Sequence, residues 1–139
     1  MTLICVGKLK EKFYAEAAAE YVKRLSRYCR LTLIELPEER LPENPSPAQV
    51  EAALEKEAAA IRGKLPSAST LIALCVEGRE RSSPDLAHLM ETLASRGESQ
   101  LAFLIGGSFG LHGSIKAQAA ERLSMSPMTF PHHLARVML

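Results

Sequence analysis

Along the chain, short unbroken apolar runs alternate with longer stretches in which apolar residues return every three or four positions. "TLICVG", residues 2–7, is a run of the first kind closed by Gly7, the pattern of a strand buried on both faces. From about residue 11 to 29, Phe13, Ala17, Ala18, Tyr21, Val22 and Leu25 recur at helical steps. Lys12, Glu16, Glu20, Lys23 and Arg27 fall between them, which predicts an amphipathic helix with its apolar stripe on a core. "LTLIELP" reads as a second strand stopped by Pro37, and the prolines and acids of "EERLPENPSP" make a loop. Ser46 then caps a helix, Pro47 takes the first helical position where its missing N–H costs nothing, and Gln49 completes a capping box. That helix should run to about Arg62, ahead of Gly63.

"STLIALCVEG" is a third apolar strand ending at Gly78. Ser83 and Pro84 repeat the cap-then-proline start, and Leu86, Leu89, Met90 and Leu93 give a helical face ending near Gly97. A fourth strand follows in "SQLAFLIGG". Strands alternating with helices in this order predict an α/β fold, a mostly parallel sheet with helices on both faces. The final "SMSPMTFPHHLARVML" alternates like a strand up to Pro131 and then turns into the first turns of an amphipathic helix. Neither an internal repeat nor a low-complexity tract interrupts the pattern.

Composition narrows this reading without changing it. At 139 residues the chain should form a single domain, residues 1–139, able to bury roughly 68% of its unfolded surface. Its 47% apolar and 24% charged residues are those of a globular protein. No apolar run approaches the roughly 18 residues of a membrane span, and the N-terminus places its charges after the apolar run, unlike an export signal. Cys5, Cys29 and Cys75 form no C-x-x-C pair and are odd in number, which suits buried thiols in a reducing cytoplasm. The net charge of +1 hides a division. Lys8, Lys10, Lys12, Lys23, Arg24, Arg27 and Arg30 outnumber the acids of the first 30 residues, whereas Glu35, Glu38, Glu39, Glu43, Glu51, Glu55 and Glu57 dominate residues 31–62. Such asymmetry serves either a basic face for an anionic partner or simply the wet side of one helix.

The stretch most suggestive of chemistry is "LIGGSFGLHG", residues 104–113, where a strand runs into Gly106, Gly107, Gly110 and Gly113. Glycines after a parallel strand let backbone amides approach a ligand at the carboxyl edge of the sheet; they serve equally in a turn that only reverses the chain. A P-loop fits poorly because Lys116 is not at the required offset. A dinucleotide fingerprint fails too, since the loop follows the fourth strand and no acid matches. The absence of Lys or Arg between Leu104 and Ile115 suits a ligand without phosphate.

"VGKLKEKF", "LIALCVEGRERSS", "LAFLIGGSFGLH" and "LSMSPMTFPHHLARVML" occur in this order across essentially the whole chain. Together they resemble the ribosomal RNA large subunit methyltransferase H family, small SPOUT or α/β-knot methyltransferases. The resemblance implies a five-stranded parallel sheet whose C-terminal part forms a trefoil knot, an exception to unknotted connection. It further implies a cytoplasmic homodimer that uses S-adenosylmethionine to methylate N3 of a pseudouridine in 23S rRNA on assembled ribosomes, with neither membrane nor metal involved. The cofactor positions carried over are Leu74, Gly106, Met125, Ser126, Pro127, Met128, Thr129 and Phe130. An adenine ring wants an apolar slot with main-chain donors and acceptors on its edge, which such residues supply, while glycine at 106 lets the ligand lie against the chain. Methyl transfer is an in-line displacement at a carbon activated by the sulfonium, so the protein positions reactants and excludes water. The imide N3–H must also lose its proton, and the resemblance assigns no catalytic base.

His132 and His133, neighbours on an extended segment, point to opposite faces and cannot chelate one metal. The "PH" step of the family matches Pro131 and His132, leaving His132 either a direct participant or a hydrogen-bonded part of the strand-to-helix junction. Arg136 is open to an RNA phosphate or a dimer partner. Lys8, Lys10, Lys12, Lys23, Arg24 and Arg27 are the candidate phosphate contacts. Family chains continue past the position of Leu139 with the rest of the final helix and a tail holding a Tyr-His step. The expectation is therefore a truncated last helix, and the alternative to the enzyme is a noncatalytic fold remnant that at most binds the cofactor.

Overall fold

The computed structural model describes residues 1–139 as five strands and five helices. In chain order they are β1 (Thr2–Val6), α1 (Lys12–Leu25), β2 (Thr32–Leu36), α2 (Pro47–Arg62), β3 (Thr70–Glu80), α3 (Ser83–Ser95), β4 (Leu101–Ile105), α4 (Gly113–Gln118), β5 (Glu121–Ser124) and α5 (His132–Met138). All strand pairs are parallel, in the order β2-β1-β4-β3-β5. The α/β reading and its five-stranded parallel sheet are thus realised.

Residue alternation along the strands builds two cores. Ile4, Val6, Leu71, Ala73, Ala102 and Leu104 project to one face, where they meet Ala58 and Ile61 of α2 and Leu111 and Ile115 at α4. Leu3, Cys5, Ile72, Leu101, Phe103 and Ile105 project to the other face, against Leu93 of α3. Side chains such as Ile4, Ile72 and Leu104, essentially without exposure, each contribute about 1.5–3 kcal/mol by burial.

The helix starts follow their capping chemistry. The Ser46 hydroxyl accepts from the Gln49 amide while the Gln49 side chain accepts from the Ser46 amide, the box read from sequence. For α3 the cap is Ser82, one residue before the expected Ser83, because Asp85 lies three residues on and returns the second bond. His112 caps α4 through Nδ1, which accepts from the Ser114 amide at 3.1 Å.

Helix α1 departs further from expectation. It ends at Leu25, and of the supposed core stripe only Ala18 is buried; Phe13, Tyr21 and Leu25 are exposed. The cause is position: α1 packs chiefly against the short α5, and none of its side chains joins the two cores that cover the sheet. Strand β3 runs past Gly78 to Glu80 because a Cβ at residue 78 would stand 2.7 Å from the Arg122 carbonyl, and glycine alone lets β5 come that close. The fifth strand is Glu121–Ser124, and residues 125–130, expected as strand and lead-in, are irregular chain following it.

Candidate functional site

Because every strand is parallel, all five carboxyl ends lie on one edge of the sheet. Leu74 on β3 pairs with Ile105 on one side and Leu123 on the other. Gly106 directly follows Ile105, and Met125 follows Ser124 at the end of β5. The fold therefore brings Leu74, Gly106 and the start of segment 125–130 together, although more than 50 residues separate Leu74 from Met125 in sequence.

The segment itself carries uncommitted binding groups. Ser126 organises it: its carbonyl accepts from Ser124 Oγ and its hydroxyl accepts from the Met128 amide, both at 3.0 Å. The amides of Met125, Ser126, Thr129 and Phe130 donate to no acceptor within the chain, and Met128 is 70% exposed. Free backbone donors beside bare apolar side chains are what the edge and face of a purine ring require.

The glycine loop closes on itself. Gly107 and Gly110 form a bridge, with Gly110 donating to the Gly107 carbonyl at 3.0 Å and adopting φ of 79°. A Cβ at Gly106 would stand 2.8 Å from Gly110 Cα and closer still to its carbonyl. The first demand for glycine at 106 is thus internal, made by the loop's own backbone ahead of any ligand. Chain reversal and placement at the carboxyl edge coexist in this loop.

Glu38, which sequence reasoning passed over as a loop acid, holds the turn in place. Its Oε1 accepts from the Ser108 amide at 2.6 Å, across 70 residues of sequence. Burial pushes this carboxyl up, but the bonds from Ser108 and the nearby His132 and His133 bring it below the usual carboxylate range. The only sequence signal was an acid two residues after a strand.

His132 and His133, expected on opposite faces of an extended segment, instead open α5 with their rings 3.9 Å apart between centroids, because the chain is already helical there. His132 packs under Gly7, where a Cβ would stand 3.0 Å from Nε2; that nitrogen is buried without a partner. Burial, with His133 next, lowers its pKa and keeps the ring neutral. His133 Nδ1 lies 3.8 Å from Glu11. His132 thus packs in the junction on the β1 side, but without the hydrogen bond at Nε2 that the junction reading expected. No group of three or more His, Cys, Asp or Glu side chains is arranged to hold a metal ion.

Arg136 corrects an expectation. Its side chain is 2% exposed, pairs with Glu35 and donates to the Gly7 carbonyl at 2.7 Å, so it is an internal tie and meets no outside partner. The neighbouring Cys5 thiol is pushed up by burial to about 11.

A groove of about 690 Å³ opens at the carboxyl ends of β1 and β4, where the strand order reverses, between Gly7, Glu38, Leu54, Ser108 and Phe109. Leu74, Gly106 and residues 125–130 do not line it. The six candidate RNA-contacting cations separate into two groups. Lys8, Lys10 and Lys12 lie between β1 and the first turn of α1, and Lys23, Arg24 and Arg27 lie at the opposite end of that helix.

A family model described as "Predicted SPOUT methyltransferase" matches residues 1–139. "Ribosomal RNA large subunit methyltransferase H" of Pelotomaculum thermopropionicum is 45% identical over 139 residues, all of this chain and 87% of that protein. Proteins of the same name from Bacillus cytotoxicus and Bacillus anthracis are 44% identical over the same shares.

Proposed function

This chain belongs to the SPOUT methyltransferase family, and from that premise we propose that it methylates ribosomal RNA with S-adenosylmethionine as donor, at N3 of a pseudouridine in 23S rRNA. The observation that carries the reading is the convergence of Leu74, Gly106 and the segment from Met125 at three adjacent strand positions, with free amides and exposed apolar groups. Residues Leu74, Gly106, Met125, Ser126, Pro127, Met128, Thr129 and Phe130 would hold the cofactor, whose sulfonium supplies an activated methyl carbon. The free amides fix the edge of the adenine, and the apolar side chains cover its faces and exclude water. Holding the acceptor nitrogen in line with that carbon is the chief catalytic contribution of the chain.

The reading includes a homodimer and the trefoil crossing of the family. Phe13 and Met138, 62% and 50% exposed on the packed pair α1 and α5, favour a covering partner copy. Residues 125–131 carry the chain from β5 back towards β1, the route such a crossing needs.

Calorimetry with S-adenosylmethionine, sedimentation for the dimer, and transfer of a labelled methyl group to ribosomes test these points together. Binding followed by transfer is expected. Binding without transfer supports the noncatalytic alternative, and absence of binding overturns the site.

A further inference from the structure

The far end of α1 carries a surface that the cofactor site does not use. Glu20, Lys23, Arg24, Arg27 and Tyr28 follow one another at helical steps of three, one, three and one. The helical path continues beyond Leu25, since its carbonyl accepts from the Tyr28 and Cys29 amides at 2.9 and 3.0 Å. These side chains therefore share a face, and with Ser26 they line a concavity of about 590 Å³. Tyr28 is 85% exposed. The Arg24 guanidinium lies 5.4 Å from the centroid of the Tyr21 ring. None of Lys23, Arg24, Arg27 or Arg30 takes part in an ion pair, although Lys12, Lys56, Arg81, Lys116 and Arg136 all do. The ammonium group of Met1, donating to the Arg30 carbonyl at 3.1 Å, adds a further positive charge nearby.

We propose that this surface binds single-stranded RNA, with an unstacked base on the Tyr28 ring and successive phosphates on Lys23, Arg24 and Arg27. A cluster of unpaired cations calls for a polyanion, and the uncovered aromatic face among them calls for a flat apolar partner on the same molecule. A single strand offers both, whereas a duplex keeps its base faces stacked inside. The inference rests on the reading that the chain acts on RNA, and it adds a second contact. Arg30 and Met1 mark the amino edge of the sheet, opposite the carboxyl edge that holds Leu74 and Gly106. Strand β1 alone spans about 17 Å between these edges. The nucleotide on Tyr28 is therefore not the one presented for methylation; the surface anchors a neighbouring segment of the same RNA and sets its register.

Fluorescence anisotropy at low salt with a labelled single-stranded RNA of roughly 12 nucleotides tests this. Tyr28→Ala should weaken binding about tenfold and Tyr28→Phe, which keeps the ring, should not. Arg24→Gln with Arg27→Gln should flatten the salt dependence by about two phosphate contacts. Circular dichroism and calorimetry with S-adenosylmethionine, both unchanged, show that the variants remain folded and keep the other site. Equal affinity of Tyr28→Ala and the unaltered chain overturns the proposal, as does no binding at all, equal binding of duplex RNA, or binding only to phosphatidylglycerol vesicles. Cofactor binding with an unaffected Tyr28→Ala sinks this surface alone. RNA binding lost in Tyr28→Ala, in a chain that does not bind the cofactor, sinks the methyltransferase reading and leaves the surface standing.

Discussion

Gly106 and Gly113 sit in the same loop and answer to different constraints. At 106 a methyl group collides with backbone, the Gly110 Cα and carbonyl, which cannot swing aside as a side chain could. At 113 nothing lies within 4 Å of the position, and the residue begins α4. Gly106→Ala should therefore cost about 1–3 kcal/mol and weaken cofactor binding by displacing the turn, and Gly106→Val should cost more. Gly113→Ala should stay within about 0.5 kcal/mol of the unaltered chain. Urea unfolding midpoints paired with calorimetry read both effects. If Gly106→Ala keeps full stability yet loses the cofactor, the demand for glycine comes from the ligand and not from the loop.

At the scale of elements, α5 has only seven residues, too few to be stable by itself, and Arg136 supplies its anchor. The guanidinium links the helix to Glu35 on β2 and to the chain after β1, spanning 129 residues of sequence to Gly7. Arg136→Ala should cost about 2–4 kcal/mol, because it strands a half-buried carboxylate as well as a buried carbonyl. Arg136→Lys should recover little of this, since an ammonium cannot reproduce the two-pronged geometry. Hydrogen exchange of α5 amides, faster in both variants, checks the anchor; unchanged protection would refute it. No local pattern announces such a tie, which is why Arg136 reads as a surface cation in the sequence. Strands β1 to β4 and helix α2 were legible because apolar runs and capping residues are local signals. The four-residue β5 and six-residue α4 were not, being too short to show a period. The apolar stripe of α1 was legible as a stripe, but the pattern does not say what covers it. At the candidate site, Leu74, Gly106 and residues 125–130 came from family resemblance, while the Glu38 clamp depends on a contact 70 residues away.

For the whole molecule, His132 and Glu38 couple folding to pH at the carboxyl edge with the same sign, and Glu57 opposes them. His132, facing Glu38, His133, Arg136 and Glu11, is held below its ordinary 6.5, chiefly by burial. The unfolded chain takes up that proton first, so the stability from a neutral His132 is complete above about pH 6.5 and is lost as pH falls from there through the folded value. Glu38 is likewise depressed, against the push of its own burial, so its contribution is present above the ordinary 4.5 and lost below it. Glu57, which accepts from the Glu39 amide at 2.9 Å, is raised by burial, so its contribution is complete below the ordinary 4.5 and lost as pH rises through its folded value, opposing the His132 step. Two descending steps should result, one beginning near pH 6.5 and one below 4.5. Urea unfolding across this range should show His132→Gln removing the upper step alone. Glu38→Gln should lower stability at neutral pH, where the charged acceptor of the Ser108 amide is lost, and reduce the lower step. A free energy of unfolding that stays level between pH 7 and 5 in Glu57→Gln, where the opposing carboxyl is gone, would mean that His132 is not held neutral beneath Gly7, and that the α5 junction is looser than its packing indicates.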